Sequence, residues 1–462
     1  MKSSVYLPTI FILILASFLL LISNDITEFF IVMIISVLAY HTLYKNIIRS
    51  VKFNSKLIKI YSFSYVISFL FIIWINIVSI QLGGSEKPFM PGDSLGYFVL
   101  GKEVVKNGIE QNLNAINYIG YPLILSWIFK FFGFHLIMGL LTNMILLFVN
   151  IFLISKCVLK ITKRPSDFQN TFLILLLTST FMSTGFILLK DIFIITSITL
   201  SLYASLNLLN RQNVIKNYSL IIVSVIIMSL FRFSFIWAPI LILITITIKE
   251  IKIIKLFPII AVLIIGGLKI QSNYGTDIKS IEETIEFATS NNVITRKLDA
   301  GSSSTVSNFL FGYDNWSVLK KISFLPITSA FQYIIPFNVY SFDQSLIYPY
   351  YFISINYNII WLFFTGPLLI FSIFNIKRIR KGNSSLVLKI TYLGILFYLI
   401  PAFIFGGLIP RYSVPFYSLL LPIMAINLTE IKVSITYKKK WNRSYLLYFL
   451  TSLFLVSFYL IF

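Results

Sequence analysis

The chain alternates long apolar runs with short polar segments, a pattern that predicts membrane-spanning helices. The runs extend over about 15 to 25 residues, and a hydrocarbon core of roughly 30 Å requires about 20 helical residues. We predict thirteen spans: 5–23, 27–43, 61–80, 135–155, 170–189, 192–209, 217–231, 233–248, 256–270, 352–376, 387–408, 412–428 and 444–462. The expected fold is all-α, a polytopic transmembrane helical bundle that forms a single membrane domain over 1–462.

Two further apolar stretches, 118–134 and 322–340, are excluded because of the distribution of charge. Lys and Arg collect in cytoplasmic loops. With these stretches on the outer surface, the inner segments carry 25 of the 38 basic residues and only three of the 17 acidic ones. If 118–134 crossed the bilayer, the basic loop 156–164 would face outward. We therefore place the N-terminus inside and both stretches along the exoplasmic face.

The stretch 217–248 is interrupted by a single charge, Arg232. As one helix it would be about 48 Å long, too long for one crossing. We therefore predict two short spans that meet at Arg232, with its guanidinium reaching the outer interface.

Composition supports a membrane protein, since 57% of the residues are hydrophobic and only 12% are charged. The net charge of +21 arises in the inner segments, so it indicates anionic membrane lipids as partners and not nucleic acid. The single cysteine, Cys157, and two distant histidines, His41 and His135, offer no metal-ligand spacing. We expect no metal and no cofactor.

Two large segments are predicted to face outward, 81–134 and 271–351. The first begins with a loop marked by Gly and Pro, after which Asp93 starts an amphipathic helix. Tyr97, Leu100 and Val104 are predicted to share one face of this helix, and Lys102 and Lys106 another. Asp93 has an alternative interpretation as a helix N-cap. The polar part of the second segment, 271–321, is typical of a solvated loop, a lid or an acceptor surface.

Further charges stand at the predicted outer ends of spans: Lys190 with Asp191, Arg232 and Arg411. Each alone is typical of an interfacial anchor. Together with Asp93 on one face, they provide an acid beside several cations, which is what transfer from an anionic lipid phosphate requires.

Several short motifs resemble those of the GT-C glycosyltransferases, such as the protein O-mannosyltransferases and the bacterial lipid A aminoarabinose transferase. In the first outer segment the resemblance rests on Gly92-Asp93-Ser94-x-x-Tyr97, Gly108, Tyr118-Ile119-Gly120-Tyr121-Pro122-Leu123 and Phe132-Gly133. Later motifs are Leu188-Leu189-Lys190-Asp191, Ser229-Leu230-Phe231-Arg232, Pro410-Arg411-Tyr412, Pro415 and Pro422. The likeness extends over about 90–425, and the order of the motifs on a common face is its specific part.

The resemblance implies about thirteen spans, two interfacial helices after the first outer loop, a polyprenyl-phosphate-linked sugar donor, and a catalytic aspartate that falls on Asp93. We assign the donor phosphate to Lys190, Arg411 and, more weakly, Arg232. The sugar and acceptor site is assigned to Tyr97, Tyr121 and Asp191. The acceptor is a glycan, a lipid or a protein, and the expected location is the plasma (inner) membrane of a bacterium, with the site outside. The segment 81–134 has no Asp-x-Asp or Glu-x-Asp pair, which disfavours a metal-dependent oligosaccharyltransferase.

Two other functions remain open. A polysaccharide polymerase of the O-antigen or capsule type also has many spans, arginines in outer loops and a polyprenyl-diphosphate substrate. A lipid or solute transporter places charges near the midplane on interrupted helices, often in repeated halves. No internal repeat is visible in this chain, and Arg232 is the nearest approach to a charge inside a span.

Overall fold

A computed structural model describes residues 5–23, 26–51, 55–90, 93–108, 120–178, 181–182, 184–232, 235–247, 360–376, 384–404 and 414–461. All regular elements within these ranges are helices. The expected all-α class is therefore confirmed at this level for the part of the chain that the structure describes.

The helices, numbered in chain order, are α1 Tyr6–Ser17, α2 Ile26–Val51, α3 Ser55–Gly83, α4 Asp93–Asn107, α5 Gly120–Phe132, α6 Leu136–Thr162, α7 Pro165–Leu176, α8 Asp191–Leu209, α9 Val214–Phe231, α10 Trp237–Thr247, α11 Gly366–Phe374, α12 Ser384–Ile404, α13 Val414–Tyr417, α14 Leu421–Val433 and α15 Ile435–Ile461. A 3₁₀ turn, Phe18–Ser23, continues α1, and a π-helical turn, Trp361–Thr365, leads into α11.

Five of these helices, α2, α3, α6, α8 and α9, are long and apolar enough to cross a membrane. They correspond to spans that the sequence predicts at 27–43, 61–80, 135–155, 192–209 and 217–231. The total of thirteen spans stays a prediction. The predicted span 256–270 and the outer segment 271–351 lie outside the described residues.

The predicted break at Arg232 is confirmed, because α9 ends at Phe231 and α10 begins at Trp237. The predicted continuous span 170–189 is wrong. Helix α7 ends at Leu176 after only 12 residues, and 184–190 has no regular helix although every residue in it is buried. Irregular backbone at membrane depth is tolerated where protein surrounds it.

Two other boundaries differ from the prediction near the end of the chain. The predicted span 412–428 is interrupted by a turn at 418–420, so its main helix is α14. The segment 429–443, which the charge pattern places on the inner side between the predicted spans 412–428 and 444–462, is largely helical, with a break at Ser434 between α14 and α15. The sequence therefore located the polar segment and misjudged its backbone conformation.

The chain divides into two compact units. The first holds the described residues of 5–160 and 181–247, and the second those of 161–178 and 360–461. In the first unit, α8 packs against α9 and α10, and α4 packs against α5. In the second unit, α14 packs against α7, α11 and α15.

Polar contacts within each unit join helix ends that the charge pattern assigns to the same side. In the first unit, Lys160 donates to Asn207 at predicted inner ends, and Glu28 lies 3.4 Å from His135 at predicted outer ends. In the second unit, Arg164 lies 3.1 Å from Glu430, again at predicted inner ends. The pairings join ends that share a predicted side, and the sidedness itself stays a prediction.

Candidate functional site

Helices α4 and α5 form one part of the candidate site. The prediction that a helix starts at Asp93 is confirmed, and the exposed Asp93 lies in the first turn of α4, where the helix dipole favours a carboxylate. A Cβ atom on Gly101 would lie 2.9 Å from Cβ of Leu125, and one on Gly120 would lie 2.8 Å from the carbonyl oxygen of Leu230. Glycine at these positions therefore lets α4 approach α5, and α5 approach the end of α9.

The predicted apolar face of α4 is partly wrong. The buried residues of this helix include Phe98, Gly101 and Lys102, whereas Tyr97 is half-buried. The ammonium group of Lys102 lies 2.6 Å from a carboxylate oxygen of Glu86, and 5.3 Å from the ring centre of Phe98. This ion pair lowers the pKa of the exposed Glu86 carboxyl. Burial of Lys102 is tolerated because its ammonium group is paired with Glu86 and lies over the rings of Phe98 and Phe134.

Aromatic rings connect α4 and α5 to the helices behind them. Tyr97 and Tyr121 meet edge to face with ring centres 5.2 Å apart. Tyr121 in turn contacts Phe193 of α8, at 5.7 Å, and Phe231 of α9. Phe193 and Phe231 are stacked at 4.6 Å. Such contacts fix ring orientation, so Tyr97 is held at a defined position.

The basic groups lie beside this aromatic cluster. The ammonium group of Lys190 is 5.9 Å from the ring centre of Tyr97, close enough for a cation–π interaction. Asp191 begins α8, and its carboxylate lies 3.8 Å from the guanidinium of Arg232. Lys190, Asp191 and Arg232 are only 8%, 2% and 5% exposed.

The expectation that Arg232 reaches the outer interface is wrong, because its side chain is buried inside the protein. It lies against the ring of Phe235, at 5.4 Å, and beside Asp191. At 3.8 Å the contact with Asp191 is an ion pair and not a hydrogen bond, and Oδ1 of Asp191 makes no hydrogen bond to another described residue. A buried carboxylate with unused acceptor capacity is a polar feature that needs a partner.

Asn143 was missed by the sequence reasoning. It lies on α6, is fully buried, and accepts a hydrogen bond from the hydroxyl of Tyr121 at 3.1 Å. Its amide nitrogen donates to the carbonyl oxygens of Ile187 and Leu189. An asparagine inside an apolar span is a signal that could have identified it. Burial also raises the pKa of Tyr121 above its ordinary value, so this hydroxyl stays protonated as a donor.

Most of the predicted site residues are brought together by the structure. Tyr97, Tyr121, Lys190, Asp191 and Arg232 form one continuous set of contacts, and Asp93 precedes Tyr97 by one turn of α4. Arg411 lies outside the described residues. Within the described ranges, no cluster of three or more His, Cys, Asp or Glu side chains is arranged to hold a metal ion.

The assembled groups can bind an anion, because two buried cations accompany one buried carboxylate beside an aromatic surface, with a second carboxylate exposed nearby on α4.

Comparison of the chain with protein-family models, curated proteins and solved structures finds no match.

Proposed function

We propose that this protein is a membrane glycosyltransferase that moves a sugar from a polyprenyl-phosphate donor to an acceptor at the exoplasmic face. One observation carries the proposal: Lys190 is buried against Tyr97, and its neighbour Asp191 is buried against Arg232, at helix ends that the charge pattern assigns to the outer side. Burying charges costs free energy unless they are paired or bind a ligand. A lipid phosphate provides a negative charge at this depth.

The donor phosphate is assigned to Lys190 and Arg232, with Arg411 as a further cation from the sequence. As the sugar leaves, negative charge grows on the phosphate oxygens, and cations fixed in a water-poor site stabilise that charge. Asp191 limits the excess positive charge and holds Arg232 in place.

Asp93 is assigned as the general base because its carboxylate is exposed and lies one turn from Tyr97, whereas the exposed Glu86 is paired with Lys102. Its carboxylate takes the proton of the acceptor hydroxyl as that oxygen attacks the anomeric carbon. The bond from the anomeric carbon to the phosphate oxygen breaks, and the phosphate leaves with the electron pair. A single direct displacement of this kind inverts the anomeric configuration. Tyr97 and Tyr121 line the sugar side of the site.

The test uses purified protein in nanodiscs with a panel of polyprenyl-phosphate sugars and measures donor consumption. We expect Asp93→Asn to lower the rate by about 10²- to 10⁴-fold, the range for loss of a general base, while donor binding is retained. Glu103→Gln removes the same charge from the same helix and serves as the control. Full activity of Asp93→Asn would show that Asp93 is not the general base. Absence of donor consumption by the native protein would refute the proposal.

The assignment of Lys190 and Arg411 to the donor phosphate is tested by measuring donor binding and acceptor binding separately. Arg411→Ala and Lys190→Ala should weaken donor binding far more than acceptor binding, because each removes a cation that faces the phosphate. Weakening of acceptor binding alone would assign these residues elsewhere. Product length in the same assay separates transfer of one sugar from polymerisation of a repeat unit.

A further inference from the structure

The segment 184–190 presents a problem of hydrogen bonding. It is buried and has no regular helix, so the backbone carbonyl groups before Lys190 lack the i+4 amide partners that a helix would provide. The carbonyl oxygen of Ile187 accepts from the N–H of Leu189 at 2.9 Å, which leaves it one further lone pair for a side-chain donor. Irregular backbone at this depth persists where other groups of the protein satisfy it. The segment leads directly into Lys190 and Asp191, so whatever fixes its path also fixes these two side chains.

One face of α6 supplies the support. Gly139, Asn143 and Leu147 are spaced by four residues and lie one above another on this helix. A Cβ atom on Gly139 would lie 2.7 Å from the side chain of Leu188, and one on Gly185 would lie 2.5 Å from the side chain of Leu147. Both glycines are therefore sites of close approach, and the segment lies against this face of α6 in one register.

Asn143 provides the hydrogen bonds between these two close contacts. Its amide nitrogen donates to the carbonyl oxygen of Ile187 at 2.7 Å and, at the longer distance of 3.4 Å, to that of Leu189. Carbonyl oxygens can only accept, so the amide nitrogen must face them, and the amide oxygen must face the hydroxyl of Tyr121. The chemistry of its neighbours therefore fixes the orientation of the Asn143 amide.

We infer that Asn143 is a positioning residue for Lys190 and Asp191, and that Tyr121 supports it. Asn143 acts through the carbonyl groups of Ile187 and Leu189, of which Leu189 directly precedes Lys190 and Ile187 lies two residues before Leu189. Tyr121 also contacts the ring of Tyr97, so a path of contacts runs from the sugar side of the site to the phosphate side. It is aromatic from Tyr97 to Tyr121 and hydrogen-bonded from Tyr121 through Asn143 to the segment. The claim that Asn143 positions Lys190 and Asp191 does not depend on the proposed function. Only the functional role given to Lys190 and Asp191 rests on it.

Hydrogen–deuterium exchange of the segment 184–190 in nanodiscs tests the structural claim without substrate. We expect Asn143→Leu to accelerate exchange of these amides by about tenfold or more, because local opening becomes easier. Asn150→Leu is the matched control, since Asn150 is equally buried on α6 and donates to Thr196 of α8 instead of to the segment. Unchanged exchange in Asn143→Leu, or an equal acceleration in both variants, would overturn the assignment.

Steady-state kinetics then separate positioning from a general structural role. Asn143→Leu should raise the KM for the polyprenyl-phosphate donor by about tenfold, equivalent to about 1.4 kcal/mol of binding, and Asn150→Leu should leave it unchanged. An equal rise in both variants would overturn the positioning role. If exchange responds as expected and the native protein consumes no donor, the positioning of the segment stands and the glycosyltransferase proposal fails.

Tyr121→Phe decides the matter if Asn143→Leu does not fold. This variant keeps the bonds from Asn143 to the carbonyl groups and removes only the donor to its amide oxygen. We expect a smaller acceleration of exchange, about threefold, because a buried amide oxygen then lacks its partner. Native exchange rates in Tyr121→Phe would overturn the supporting role of Tyr121.

Discussion

The ion pair of Asp191 with Arg232 allows a quantitative test of how burial governs the candidate site. The two charged groups lie 3.8 Å apart, and their side chains are 3% and 6% exposed. At that distance, Coulomb's law with an effective dielectric constant of about 20 gives an attraction of about 4 kcal/mol. Removing one partner of a buried pair costs about 3–5 kcal/mol, because the remaining charge is left without compensation.

The experiment is a double-mutant cycle with Asp191→Asn, Arg232→Met and the two together. Unfolding by sodium dodecyl sulfate in mixed micelles, followed by circular dichroism, measures the free energy of unfolding. We expect each single variant to lose about 3–5 kcal/mol, and the double variant to lose about 3 kcal/mol less than the sum of the two.

The control is the exposed pair of Arg164 with Glu430, whose side chains are 54% and 35% exposed although the charged atoms lie closer, at 3.1 Å. An exposed pair contributes about 0.2–1 kcal/mol, so its cycle should show a much smaller coupling. Additivity within about 0.5 kcal/mol for Asp191 and Arg232 would refute the reasoning, because it would show that the two charges do not stabilise each other.

Two further predictions concern helix packing and membrane orientation. Gly120→Ala should destabilise the fold by about 1–3 kcal/mol, because its new methyl group meets the carbonyl oxygen of Leu230 at 2.8 Å. Gly96→Ala, with nothing within 4 Å, should be neutral or stabilising by up to about 1 kcal/mol, and equal losses would contradict this difference. In a Cys157→Ala background, a membrane-impermeant maleimide on intact cells should label Ser85→Cys, whereas Gln212→Cys should require permeabilisation. Labelling of both from outside would overturn the sidedness.

The sequence alone was sufficient where structure is decided by local chemistry or by the membrane. The start of α4 at Asp93 follows from the preceding Gly and Pro residues and from the apolar period that comes after them. The break at Arg232 follows from length, because 217–248 is too long for one crossing. Apolar runs likewise predicted the helices that are long enough to cross a membrane.

Tertiary structure decided which polar groups are buried and what satisfies them. The sequence predicts Lys102 and Lys106 on a face of α4 apart from the apolar one, yet Lys102 is buried because Glu86 and Phe98 lie beside it. Arg232 was expected at the interface, and it is buried because α8 brings Asp191 to it. The charged partners, Glu86 and Asp191, are distant in sequence from Lys102 and Arg232, so no local pattern contains this information.

The irregular segment 184–190 makes the same point for the backbone. Its composition, rich in Leu, Ile and Phe, is equally compatible with a helix, and so the sequence predicted a continuous span over 170–189. The backbone departs from a helix where Asn143, from α6, satisfies the carbonyl groups of Ile187 and Leu189. The hydrophobic periodicity of the sequence indicates which residues are kept from contact with water. Only the folded arrangement determines where each buried polar group finds its partner, because these partners come from distant parts of the chain.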